Sequence, residues 1–116
     1  MAELSRDFGV TTVERAIDVL LRIYSKSEQA WIVSHVPASI HHSVGRWIRN
    51  SFGLWQGNRA LLDDCEQFFE GQKVFYGDAI THYPDGMMHP DVASDIIIRQ
   101  FQARLRALPS PPPPAA

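Results

Sequence analysis

Apolar residues recur in this chain at helical rather than strand spacing, and that periodicity restricts the fold more than any other feature. Val13, Ile17, Leu20, Leu21 and Tyr24 fall on one face of a helix, as a turn of ~3.6 residues requires. Thr11 followed by Glu14, and Ser25 followed by Glu28, read as capping boxes that open a first helix and a short second one. The second must stop before Pro37, because a residue preceding proline avoids helical angles. From about Ala38 to Phe52 a third helix places Ile40, Val44, Trp47, Ile48 and Phe52 on one arc, and Gly53 stands where a left-handed cap is expected. Asn58 is placed to cap a fourth helix, whose apolar face is Leu61, Leu62, Cys65, Phe68 and Phe69 with Asp63 and Asp64 outward. The last helix opens at His89-Pro90-Asp91 and carries Ile97, Ile98, Phe101, Leu105 and Leu108 on its strongest face. Between them, Val74-Phe75-Tyr76 admits one short extended segment over 74–76, and Tyr83-Pro84-Asp85-Gly86 reads as a β-turn. The expected fold class is all-α, a single small domain of about five helices.

At 116 residues with 45% hydrophobic content, the chain has enough apolar surface for one core and too little length for two. We expect an N-terminal tail at 1–9, a helical domain at 10–108 and a proline-rich tail at 109–116, whose composition admits only polyproline II or disorder. The single cysteine, Cys65, excludes an internal disulfide and a cysteine-based zinc site. No apolar run approaches the ~20 residues of a membrane span, and Met1 to Arg6 carries no signal-peptide stretch, so a cytoplasmic protein is expected. A net charge of -2 argues against nucleic-acid binding.

Ser94 projects into the middle of the last helix's apolar face. A buried hydroxyl needs a partner, either the carbonyl one turn back or a group from elsewhere such as Arg49, Asn50 or His41. His41 projects to the border of the third helix's apolar arc, with Gly45 near the same border allowing close approach. His41, His42, His82, Asp85, His89 and Asp91 include metal-ligand types but no tight ligand pair, so neither a metal nor a cofactor is expected. Exposure of Trp31 or Trp55 would point to self-association. Arg106 to Pro112 fits the form Arg-x-x-Pro-x-x-Pro read by polyproline-binding domains, although a solvated tail is the plainer account.

The run from His41 to Asn58, containing Trp47-Ile48-Arg49-Asn50, Phe52-Gly53-Leu54-Trp55 and Gly57-Asn58, resembles a family of small bacterial domains of unknown function. His89-Pro90-Asp91-Val92-Ala93-Ser94 is similar to that family's second block, His-Pro-Asp-x-x-Ser. The resemblance implies no activity, but it invites reading the blocks together. His41, Arg49, Asn50, Trp55 and Asn58 from the first, with His89, Asp91 and Ser94 from the second, form the candidate binding cluster. Within it Asp91 is expected to pair with Arg49, Asn50 to serve the end of the third helix, and Asn58 to cap the fourth.

The expected function is a binding or protein-interaction module, with a protein partner or a small ligand. The alternative is an enzyme or small-ligand protein that uses Arg49, Asn50, His89, Asp91 and Ser94, with His41 or His89 as general base. An enzyme is the less favoured reading, because no nucleophile motif accompanies these groups.

Overall fold

A computed structural model of the chain describes residues 9–69, 81–84 and 86–107. The described residues form five α-helices: α1 (Val13–Ile23), α2 (Lys26–Val33), α3 (Arg46–Ser51), α4 (Arg59–Phe69) and α5 (Pro90–Ala107). No strand occurs among the described residues, and the domain is all-α as expected. His82 and Met88 form one isolated antiparallel bridge. It is closed by a turn in which the Gly86 N–H donates to the Tyr83 carbonyl at 2.8 Å. The expected extended segment at 74–76 and the proline-rich run lie outside the described residues. Among the described residues, no helix is long and apolar enough to cross a membrane.

α5 is the axis of the molecule and packs against each of the other four helices. Ala93, Ser94, Ile96, Ile97, Ile98 and Phe101 are all fully buried. A helix apolar around most of its circumference is stable only inside a core. Leu20 from α1, Ile32 from α2, Ile48 from α3 and Leu61, Leu62 and Cys65 from α4 complete that core. Burial pushes the Cys65 thiol far up, with Asp64 and Glu66 adding to the effect. Its Sγ sits 3.8 Å from the Ala93 carbonyl, so Cys65 behaves as a core thiol rather than a nucleophile.

Helix ends follow the capping residues, with two corrections. The Ser25–Glu28 capping box forms in both directions, at 3.1 and 2.7 Å. Gly53 takes φ +70° after α3, and Asn58 Oδ1 accepts the Leu61 N–H at 3.3 Å. α1, however, is capped by Thr12 rather than Thr11, through Oγ1 and the Arg15 N–H at 3.1 Å. Asp64 is not outward: its Oδ2 accepts the Val13 N–H at 2.7 Å, which ties α4 to the positive end of α1.

The third expected helix is the larger correction. A 3-10 turn (Pro37–Ile40) runs into a π turn (His41–Gly45) before α3 begins at Arg46. A π turn takes one more residue than an α turn. Ile40, Val44, Ile48 and Phe52 therefore stay on one buried row at a spacing of four, which carries Gly45 and Arg49 inward beside them. Trp47, placed on the apolar arc by 3.6-residue periodicity, instead lies at its half-buried edge.

Four polar side chains are buried among the described residues: Gln29, Arg49, Ser94 and Gln102. Each meets the demand that buried polar groups be bonded. Gln29 Nε2 donates to the Leu21 and Tyr24 carbonyls at 3.3 and 2.9 Å, closing the end of α1. Gln102 Nε2 donates to the Ile32 and His35 carbonyls at 3.0 and 2.6 Å, closing the end of α2 from α5.

Candidate functional site

Arg49 is the centre of the polar cluster. The π turn brings it against the N-terminal half of α5, and Gly45 leaves the space it fills. A Cβ at Gly45 would stand 3.0 Å from Arg49 Nη1 and 3.5 Å from Ile98 Cδ1. Nη1 donates to Ser94 Oγ at 2.9 Å and lies 3.4 Å from His41 Nδ1, while Nη2 donates to the His41 carbonyl at 3.1 Å. Nε faces Asp91 Oδ1 at 3.5 Å. Burial draws the guanidinium below its ordinary value and the Asp91 charge opposes that; an arginine stays charged through such a shift. The Ser94 hydroxyl in turn donates to the Asp91 carbonyl at 3.0 Å. Both partners considered for Ser94 are thus present at once, the carbonyl one turn back and Arg49.

The two histidines face this knot differently. An Arg49 N–H only donates, so His41 Nδ1 accepts and the proton of the neutral ring resides on Nε2, which is 3.9 Å from Asp91 Oδ1. Burial and the Arg49 charge hold His41 below the ordinary histidine value, against the pull of Asp91. His89 caps α5: its Nδ1 accepts the Asp91 N–H at 3.0 Å. The His89 ring is flanked by Trp55 and Tyr83, with centroids at 5.6 and 5.1 Å.

The remaining sequence candidates lie elsewhere. Asn50 is exposed on α3 and takes no part in the bonds that its neighbour Arg49 makes to His41, Ser94 and Asp91. Asn58 Nδ2 donates to the Val10 and Phe52 carbonyls, both at 2.7 Å, so its amide fastens α4 to the chain before α1. Trp55 meets the cluster at the His89 ring. One signal in the sequence does locate Arg49: His41, Gly45 and Arg49 repeat at four-residue spacing beside the row Ile40, Val44, Ile48 and Phe52.

Concave surfaces border the segment 37–51 on two of its flanks. A groove of about 350 Å³ opens beside the knot, between His41 and His42 on one side and Asp91, Asp95 and Arg99 on the other. Asp95 and Arg99 pair across one turn of α5 at 3.0 Å. On the opposite flank, a cleft of about 440 Å³ is lined by Tyr24, Trp31 and Trp47, with Ile32, Val44, Glu28 and Ser43 completing its walls. Tyr24 and Trp47 meet edge to face at 6.5 Å, and Trp31 remains 49% exposed. In the sequence Trp31 carries only the expectation that its exposure, or that of Trp55, would point to self-association; Tyr24 and Trp47 fall on apolar helix faces and give no surface signal. Among the described residues, no group of three or more His, Cys, Asp or Glu side chains is arranged to hold a metal ion.

A family model described as a domain of unknown function, DUF6794, matches residues 11–105. The chain belongs to the DUF6794 family. That match spans both sequence blocks, so this DUF6794 domain includes the whole Arg49 knot and both concave surfaces. Comparison with curated proteins and with solved structures returns no match.

Proposed function

We propose that this domain is a protein-interaction module that takes an extended, proline-bearing peptide in the cleft between Tyr24, Trp31 and Trp47. The observation that carries the reading is Trp31, half exposed at the mouth of a cleft with an apolar floor of Ile32 and Val44. Leaving such surface in water costs about 25 cal/mol per Å², and a ligand that covers it recovers that energy. Grooves walled by aromatic rings suit polyproline II, whose rings pack on aromatic faces and whose backbone lacks N–H donors that need partners. Glu28 and Ser43 supply polar groups at the edge for orientation.

Titration of octaproline into the protein, followed by tryptophan emission, tests this. We expect a saturable blue shift that an octaserine control does not produce and that Trp31→Ala abolishes. An unaltered spectrum up to millimolar octaproline would overturn the reading.

A second reading, a small-ligand site or an enzyme at the polar cluster, is favoured by one observation. His41 lines the groove with Asp91 and Asp95, and its neutral ring carries an Nε2–H that a ligand's acceptor can take. Shifts of the His41 and His89 ring resonances on adding a small anionic metabolite set would support it, and unmoved resonances would remove it.

A further inference from the structure

We propose that the peptide taken by the aromatic cleft carries a quaternary ammonium group, a trimethyllysine beside its prolines, held between the rings of Tyr24, Trp31 and Trp47 and faced by the Glu28 carboxylate. The proposal rests on the peptide-binding reading above and adds the chemistry of a second anchor.

The walls support it first. Tyr24 and Trp47 have ring centroids 6.5 Å apart and planes inclined at 62°, and Trp31 adds a third aromatic wall from α2. Aromatic rings attract a cation electrostatically when it lies within about 6 Å of a ring centroid, a reach that Tyr24 and Trp47 share in the space between them. The third wall is set in advance. His35 stacks on Trp31 with ring centroids 4.0 Å apart, and His35 Nδ1 donates to the Trp31 carbonyl at 2.6 Å. A ring already held in place loses less freedom when a ligand arrives.

Charge supports it second. Of the described residues that line this cleft, Glu28 is the one with a charged side chain. Its Oε1 accepts the Ser25 N–H at 2.7 Å, so the capping box that starts α2 also fixes the carboxylate at the edge of the cleft. Burial pushes the Tyr24 phenol up and the Glu28 charge adds to the effect. The cleft therefore presents neutral rings and one negative charge, which complements a single cation.

The shortage of acceptors selects the kind of cation. An unmodified lysine ammonium carries three N–H donors, and a guanidinium five. Walls made of indole and phenol rings with Ile32 and Val44 leave Glu28 and Ser43 as the polar side chains at hand, so a desolvated ammonium would bury unbonded donors. Trimethylation removes every N–H and keeps the charge. Such a group meets the rings without that cost.

The test uses three peptides with four prolines on each side of one central residue: lysine, trimethyllysine, or the neutral analogue with carbon in place of the quaternary nitrogen. Each is titrated into the protein and followed by tryptophan emission, beside octaproline. We expect trimethyllysine to bind roughly tenfold more tightly than the neutral analogue and than lysine. Glu28→Gln should narrow that ratio while keeping the fold, since glutamine also completes a capping box, and tetramethylammonium chloride should compete with the trimethylated peptide. Equal affinity for trimethyllysine and the neutral analogue would overturn the cation site and leave the peptide-binding module standing. Lysine bound as tightly as trimethyllysine would overturn the quaternary class. Saturable binding of the trimethylated peptide without binding of octaproline would support the cation site and overturn the proline anchor. Binding of none of the four would overturn this proposal and the peptide-binding reading together.

Discussion

The two flanks of the segment 37–51 differ in how completely their groups are used. Facing α5, Arg49 directs its donors to Ser94, to the His41 carbonyl and toward Asp91, and Gly45 yields the volume it needs. Facing α1 and α2, Val44 and Trp47 help to wall a cleft whose mouth leaves Trp31 half exposed. Adjacent residues of one short stretch therefore serve opposite ends. A closed set of bonds has its value in stability, because breaking any member strands the rest. An open apolar surface has its value in what covers it. The cluster richest in chemically suggestive residues is thus the better candidate for structure, and the aromatic flank the better one for binding.

Removing the centre of the knot should have the largest effect. Arg49→Ala leaves Ser94 and Asp91 without their cationic partner, and we expect a loss of about 3 kcal/mol in urea denaturation. A loss below ~1 kcal/mol would show the knot to be dispensable and would break the comparison. Ser94→Ala should cost about 1–2 kcal/mol, because a buried guanidinium N–H then lacks an acceptor. Gly45→Ala sharpens the point, since alanine ordinarily favours a helix over glycine by ~1 kcal/mol. Here overpacking against the pinned Arg49 Nη1 costs about 1–3 kcal/mol, so the variant should be less stable than the parent by roughly 1 kcal/mol. In an Arg49→Ala background that penalty should vanish, as a double-mutant cycle would register.

The pH dependence follows from His41. Its folded value lies below the ordinary histidine value of ~6.5 that the unfolded chain shows. Between the two values the unfolded state binds more protons, so stability rises with pH, is complete above the unfolded value, and is lost as pH falls through the folded one. Denaturation midpoints between pH 7 and 5 should therefore fall further for the parent than for His41→Gln. Parallel midpoints would mean that Arg49 and burial do not govern the ring. The smallest effect belongs to Asn50→Ala, which should stay within about 0.5 kcal/mol because Asn50 is exposed. A cost above ~1 kcal/mol would extend the knot to a residue outside it.

Much of the fold was legible because caps and apolar rows are local signals. Ser25 with Glu28, Gly53 and Asn58 mark helix ends by their own chemistry, and the last helix announces itself through Pro90 and Asp91. The first cap slipped by one residue because Thr11 and Thr12 offer the same hydroxyl. What chose between them was Asp64, 51 residues distant from Val13, and no local pattern contains that contact. The third helix was misjudged for a different reason: a regular 3.6-residue projection cannot show a π turn. Once one turn takes an extra residue, Arg49 moves from the flank to the core and Trp47 from the arc to its edge. The pairing of Arg49 with Asp91 and Ser94 was readable because a buried hydroxyl and a helix-end carboxylate both call for a donor. The failure of Asn50 to join them, and the assembly of Tyr24, Trp31 and Trp47 from three segments, required the packed structure.

Gln102 gives the cleft a further property. A helix of eight residues such as α2 is too short to persist alone in water, and the Ile32 carbonyl of its last turn is held by a side chain 70 residues further along the chain. The amide protons of α2 should consequently exchange with solvent not by fraying turn by turn but in the same cooperative opening that releases α5. The wall that carries Trp31 then shares the lifetime of the central helix.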